Sequence, residues 1–129
     1  MRTNEPSDFG GPAFFRNAAY FYGPTNLSGT FSVPYAAKTG AYTLTESDYA
    51  INITSGTFTV TLPTAVGIAG RVYVIKNSGT GNITVDANGS QTLDGSTTVT
   101  LYARYSSITI QSDGANWVII GCISPVGLN

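Results

Sequence analysis

The chain has 129 residues, enough for one domain and an appendage. Charged residues make up only 10% and the net charge is −1, so the chain lacks the positive field of a nucleic-acid-binding surface. It holds no histidine and a single cysteine, Cys122. That excludes an intrachain disulfide, a Cys–His nucleophile and the commonest zinc ligand.

The opening MRTNEPSDFGG lacks an apolar stretch, so no secretory signal is expected and the chain is expected to fold in a cytosol. No apolar run approaches the length of a membrane span. Residues 1–40 are broken by Pro6, Pro12, Pro24 and Pro34 and by Gly10, Gly11, Gly23 and Gly29. These breakers leave room for no more than a short helical turn over Phe14–Tyr22. The rings of Phe9, Phe14, Phe15, Tyr20, Phe21, Tyr22, Phe31 and Tyr35 crowd the same stretch, whereas disordered tails are poor in aromatics. The expectation is an extended N-terminal arm that orders against another surface. Its contacts would be Phe9, Phe14, Phe15, Arg16, Tyr20, Phe21 and Tyr22, since buried rings and Arg dominate interface energetics.

Composition changes near residue 40, which places a second segment over 41–129. Tyr42 and Leu44 share one face, as do Tyr49, Ile51 and Ile53. GTFTVTLP alternates, with Phe58, Val60 and Leu62 inward and Thr57, Thr59 and Thr61 outward. RVYVIK reads as apolar on both faces. Ile83 and Val85, then Val99, Leu101 and Ala103, then Ile108 and Ile110 continue the alternation, and NWVII closes it as a second two-sided run. Period-2 alternation of Val, Ile, Thr and Tyr marks β-strands, and NSGTGN, ANGS, LDGS and SDGAN supply the turns. Strand runs recurring about every ten residues predict an all-β fold, an antiparallel β-sandwich or β-prism-like module. No strict repeat is visible, and repeated hairpins account for the pattern better than a solenoid. Cys122, between Ile120 and Ile123, reads as a buried small hydrophobe.

Catalytic patterns are missing. There is no G-x-S-x-G stretch and no phosphate-binding loop. Asp86, Asp94 and Asp113 could converge as a carboxylate pair on a sugar bond, but each sits in a glycine-containing turn, where Asp bonds its own backbone. The N-x-S/T triplets at Asn26, Asn52, Asn82 and Asn88 read as chance in so Ser- and Thr-rich a chain. Trp117 lies in an apolar run and reads as core. Tyr102 and Tyr105 flank Arg104, which makes these three a candidate receptor contact at the tip of the module, with subunit contact as the other reading.

Three stretches in order carry a resemblance: TFTVTLPTAVGIAGRVYVIKNSGTGNITV, SQTLDGSTTVTL and YSSITIQSDGANWVII. A strand ends in Leu62-Pro63, a small-residue loop follows, and the next strand ends in Lys76-Asn77. The turns Leu93-Asp94-Gly95 and Ser112-Asp113-Gly114 then precede the strand that holds Trp117. Over residues 41–121 this resembles β-structured segments of bacteriophage tail fibres, tail spikes and related virion surface proteins. The resemblance implies a homotrimeric β-module without enzymatic activity or cofactor. A chain of this length fits a head fibre, a capsid decoration protein or a short tail knob. The expectation is therefore a virion structural protein made in the host cytoplasm and carried on the virion surface. Its arm would attach to a capsid or tail protein. The alternative is a host receptor or carbohydrate-binding module of a phage tail, touching a host surface glycan. Neither nucleic acid nor a membrane is an expected partner.

Overall fold

A computed structural model describes residues 21–124. They fall into two units divided between Phe31 and Ser32. Residues 21–31 contain neither helix nor strand, and Phe21, Tyr22, Leu27 and Phe31 are exposed there. The second unit is all-β, built as two layers of mixed sheet from nine strands. These are β1 (Tyr35–Lys38), β2 (Tyr42–Thr43), β3 (Ala50–Ile53), β4 (Phe58–Thr61), β5 (Val72–Asn77), β6 (Ile83–Asp86), β7 (Thr98–Leu101), β8 (Ser106–Ser112) and β9 (Trp117–Ile123). The five-stranded sheet has the order β1-β3-β5-β8-β9 and the four-stranded sheet β2-β4-β6-β7. The first sheet begins at Tyr35, ahead of the composition change near residue 40.

Strand pairing corrects the antiparallel, hairpin-based expectation. The chain alternates between sheets, so β1, β3 and β5 pair in parallel in one, and β2, β4 and β6 pair in parallel in the other. The result is three stacked coils, a short solenoid. Tyr35 pairs with Ala50 and Ala50 with Val74, steps of 15 and 24 residues. Unequal coils leave no period in the sequence, which is why the repeat escapes inspection. Antiparallel pairing is confined to the C-terminal part, where β7 joins β6 and the β8–β9 hairpin joins β5.

The inward faces close a core of Leu44, Ile51, Ile53, Val60, Leu62, Tyr73, Ile75, Ile83, Val85, Leu93, Leu101, Ile108, Ile110 and Trp117, with Ala65 and Ala87. Trp117 is 1% exposed, with its ring 5.6 Å from that of Tyr73, so the core reading of this residue holds. Threonines cover the outer face of the four-stranded sheet: Thr59, Thr84 and Thr100 form one cross-strand row, continued by Thr43, Thr61 and Thr98 beside Asp86. Paired hydroxyls and methyls on adjacent strands stabilise a wet sheet face without charge.

Two strands expected to be apolar and covered on both faces differ. In β5, Tyr73, Ile75 and Asn77 are buried, while Val72, Val74 and Lys76 are only half-buried. Those three face outward between β3 and β8, and no further layer lies over them among the described residues. In β9 only Trp117 is buried, and Val118, Ile120, Cys122 and Ile123 are exposed. The physical reason is the strand count. Five strands lie against four, so β9 overhangs the end of the smaller sheet. Cys122 pairs across from the buried Ile108, yet it is exposed and not a buried core residue.

Candidate functional site

Strand direction sorts the charges. β1, β3, β5, β7 and β9 run one way, and β2, β4, β6 and β8 run the other. Lys38 and Lys76 lie at or beside the C-terminal ends of β1 and β5, and Arg104 lies in the loop after β7, so all three share one end of the module. Glu46 and Asp48 precede β3, Asp86 ends β6, Asp94 pairs beside Trp117 at the start of β9, and Asp113 follows β8. These carboxylates, with Arg71 ahead of β5, occupy the opposite end. Among the described residues, the cationic end therefore carries no carboxylate. The chain enters the sheet at Tyr35, on the carboxylate end.

At the cationic end, two loops interlock. Asn77 is fully buried at the close of β5. Its side-chain amide donates to the carbonyls of Gly81 at 2.8 Å and Leu101 at 3.0 Å, and its Oδ1 accepts from the Gly79 N–H at 3.1 Å. Thus one side chain joins the Ser78–Asn82 loop to the end of β7. The Tyr105 N–H donates to the Asn77 carbonyl, and the Arg104 Nε donates to the Ser78 carbonyl at 3.0 Å. Asn77 was marked from the sequence only as the close of a strand, and its bridging role was missed. The signal for that role was an Asn placed where the inward-facing alternation of Tyr73 and Ile75 calls for an apolar side chain.

Tyr105 has a φ of 72°. A bulky residue in the left-handed region costs about 1–3 kcal/mol and persists only where its surroundings hold it there. Here the bond to Asn77 and the Ser106 contacts to the Ala103 carbonyl fix the turn. The held ring gathers the cations: the Arg104 guanidinium carbon lies 4.8 Å from the ring centroid and the Lys76 Nζ lies 5.7 Å from it. Both are within cation–π range. Tyr102 is 70% exposed and Tyr105 40%. Beside Tyr102 opens a cleft of about 260 Å³, lined by Val99, Thr100, Ser106, Ser107, Cys122 and Ser124 among others. It lies under the overhang of β9.

The structure therefore sets Arg104 against the Tyr105 ring on an exposed loop that also carries Tyr102. Of the arm contacts expected from the sequence, Phe21 and Tyr22 are 69% and 93% exposed. Phe9, Phe14, Phe15, Arg16 and Tyr20, and most of the short turn expected over Phe14–Tyr22, lie outside the described residues.

Of the three aspartates expected to bond their own turns, Asp113 does so, whereas Asp94 reaches across to β9 and Asp86 ends strand β6. Asp113 Oδ1 accepts from the Ala115 and Asn116 amides at 2.9 and 2.7 Å, and these bonds hold its carboxyl below the ordinary value of 3.8. Asp94 Oδ1 accepts from the Ile119 amide at 3.1 Å. Asp48 receives the Tyr42 hydroxyl at 2.8 Å, which raises the phenol above its ordinary value. Among the described residues no group of carboxylates and cysteine is arranged to hold a metal ion.

No protein-family model matches the chain, and no curated protein matches it.

Proposed function

We propose that this chain is a bacteriophage virion structural protein, a short fibre or decoration protein (head fibre, capsid decoration or tail knob). It docks on the particle through its aromatic N-terminal arm and displays a homotrimeric β-module outward. The observation that carries the reading is the edge strand β9. Residues 115–124 contain no charged side chain, and Val118, Ile120 and Ile123 are exposed on a seven-residue strand. At the start of the strand its outer edge meets Thr92 and Asp94 through Trp117 and the Ile119 amide; beyond Ile119 it pairs with nothing among the described residues. Proteins protect such edges with lysine, proline or a covering element, because an open apolar edge templates aggregation. This edge has a bulge opposite Thr109/Ile110 and, past the Asp94 carboxylate on Ile119, no charge. Copies of the same chain are the cover that suits an uncharged strand, since nothing repels them.

Polarity supports the rest of the reading. Residues upstream of Tyr35, the ring-rich part of the chain, join the module at the carboxylate end. The Tyr102–Tyr105 loop lies at the opposite end of the module from Tyr35. Three arms carried by one trimer would bind a particle multivalently and gain avidity without a stronger single contact.

The test compares the full chain with residues 32–129 for adsorption to phage particles that lack the protein. The full chain is expected to sediment with the particles and the shortened chain to stay in solution. Equal adsorption by both would contradict the docking role of the arm.

A further inference from the structure

Three pairs in the chain join an Asn or Asp to a glycine: Asn88-Gly89, Asp94-Gly95 and Asp113-Gly114. In such a pair the glycine nitrogen can attack the side-chain carbonyl carbon and close a succinimide ring. Glycine favours this step because it has no Cβ to hinder the approach. The structure treats the three pairs differently. Asp113 Oδ1 accepts from the Ala115 and Asn116 amides, and Asp94 Oδ1 accepts from the Ile119 amide. Both side chains are thereby held against backbone groups. Both are also carboxylates, which have no good leaving group when ionised. Asn88 is exposed, and its side chain makes no hydrogen bond to any described residue. Only its backbone carbonyl is engaged, accepting from the Gln91 N–H at 2.9 Å. The Gly89 N–H is likewise unbonded among the described residues. Gly89 has a φ of 56°, and a Cβ there would meet nothing within 4 Å. The nitrogen is therefore open to its neighbour, and a new ring has room.

We propose that Asn88 is a modification site, at which the folded chain deamidates without an enzyme. The Gly89 nitrogen gives its proton to solvent and attacks the Asn88 Cγ. The N–Cγ bond forms, the Cγ–Nδ2 bond breaks, and Nδ2 takes a proton and leaves as ammonia. Water then opens the succinimide at either carbonyl. Opening at Cγ restores the backbone and leaves an aspartate. Opening at the backbone carbonyl leaves an isoaspartate, in which the chain runs through the former side chain. Either product puts a new carboxylate at the end of the module that already holds Asp86, Asp94 and Asp113. The isoaspartate also lengthens the turn that the Gln91 N–H closes. The Gln91 side chain accepts from the Ala65 N–H at 2.9 Å and donates to the Thr64 Oγ1 at 2.8 Å. A longer turn at Asn88 therefore acts on the loop after β4 through Gln91. The change is slow and irreversible, and it needs only this chain and water. It does not depend on how the chain assembles or on what the arm docks to.

The experiment incubates the full chain in neutral and in mildly alkaline buffer, with and without urea. Samples are digested over time and mapped by mass spectrometry, with electron-transfer fragmentation to tell isoaspartate from aspartate. In the folded chain both products are expected to accumulate at Asn88, and faster in the alkaline buffer, where more of the Gly89 nitrogen is deprotonated. Isoaspartate at Asp94 and Asp113 should form at least about tenfold more slowly, the scale on which one charge-assisted hydrogen bond alters a rate. Urea removes those bonds, so the Asp94 and Asp113 rates should rise in it by more than the Asn88 rate does. Asn88→Gln moves the amide carbon one bond further from the nitrogen and should abolish the reaction at this position. That side chain is exposed, and thermal unfolding of the variant checks that the fold is kept. An Asn88 that stays intact in the folded chain while it deamidates in urea would overturn the proposal. So would isoaspartate at Asp94 or Asp113 appearing as fast as at Asn88, or a rate at Asn88 that is indifferent to pH.

Discussion

Asn77→Ala is expected to lower the unfolding free energy by about 3–5 kcal/mol, because each buried group left without its partner costs about 1–3 kcal/mol. The Asn77 side chain serves three backbone groups at once: the Gly79 N–H and the carbonyls of Gly81 and Leu101. Alanine serves none of them. Water cannot readily replace the amide, since Asn77 is fully buried and Gly79 beside it is buried too. A loss of this size is a large share of the 5–15 kcal/mol typical of a domain. Asn77→Asp should fall near the alanine variant, since a carboxylate cannot donate to two carbonyls. Denaturant midpoints with unchanged slopes would measure both. A loss under about 1 kcal/mol would show that the loops hold together without this hub.

Gly81→Ala carries the second large effect, for a steric reason. A Cβ at Gly81 would overlap the Thr57 Oγ1 and the Gly56 carbonyl. At Gly79 it would come within 3.0 Å of the Ser55 backbone. The loop after β5 thus rests directly on the loop after β3, as stacked coils require. Backbone cannot swing aside as a flexible side chain does, so the coils must part. A loss of about 3 kcal/mol is expected, at the upper end for overpacking. Gly40→Ala, at the same end of the module, meets nothing within 4 Å and has no left-handed φ. It should change stability by less than about 0.5 kcal/mol. Equal effects at the two positions would contradict the stacked-coil packing.

The inward face was legible in the sequence because period-2 alternation depends only on neighbours along the chain. Val60, Leu62, Ile83, Val85, Ile108 and Ile110 were all marked that way and all are buried. Pairing was not legible. Whether β3 meets β1 or β2 is decided by long-range stacking, and coils of 15 and 24 residues erase the period that would betray a solenoid. Tyr35–Lys38 was passed over because YAAK is short and has little apolar alternation. β9 misled for the opposite reason. An apolar run says that a strand should be covered, not by what, and within one chain the smaller sheet ends before reaching it.

The loop residues Tyr102, Arg104 and Tyr105 were visible as a cluster because they are adjacent in sequence. Their partner Lys76 lies 28 positions before Arg104 and was invisible there; the fold brings both to the Tyr105 ring. The separation of charges was hidden as well. It appears only once the direction of each strand is known, because Lys76 and Asp86 are close in sequence and yet lie at opposite ends.

Assembly through β9 is the central claim, and the mass of the full chain in solution tests it most directly. Sedimentation equilibrium is expected to give three times the 13.5 kDa of one chain. The double variant Ile120→Lys with Ile123→Lys places charge on the open edge. It should give the mass of one chain with an unchanged circular dichroism spectrum. A wild-type protein that sediments as a single copy, or a double variant that remains trimeric, would contradict the account.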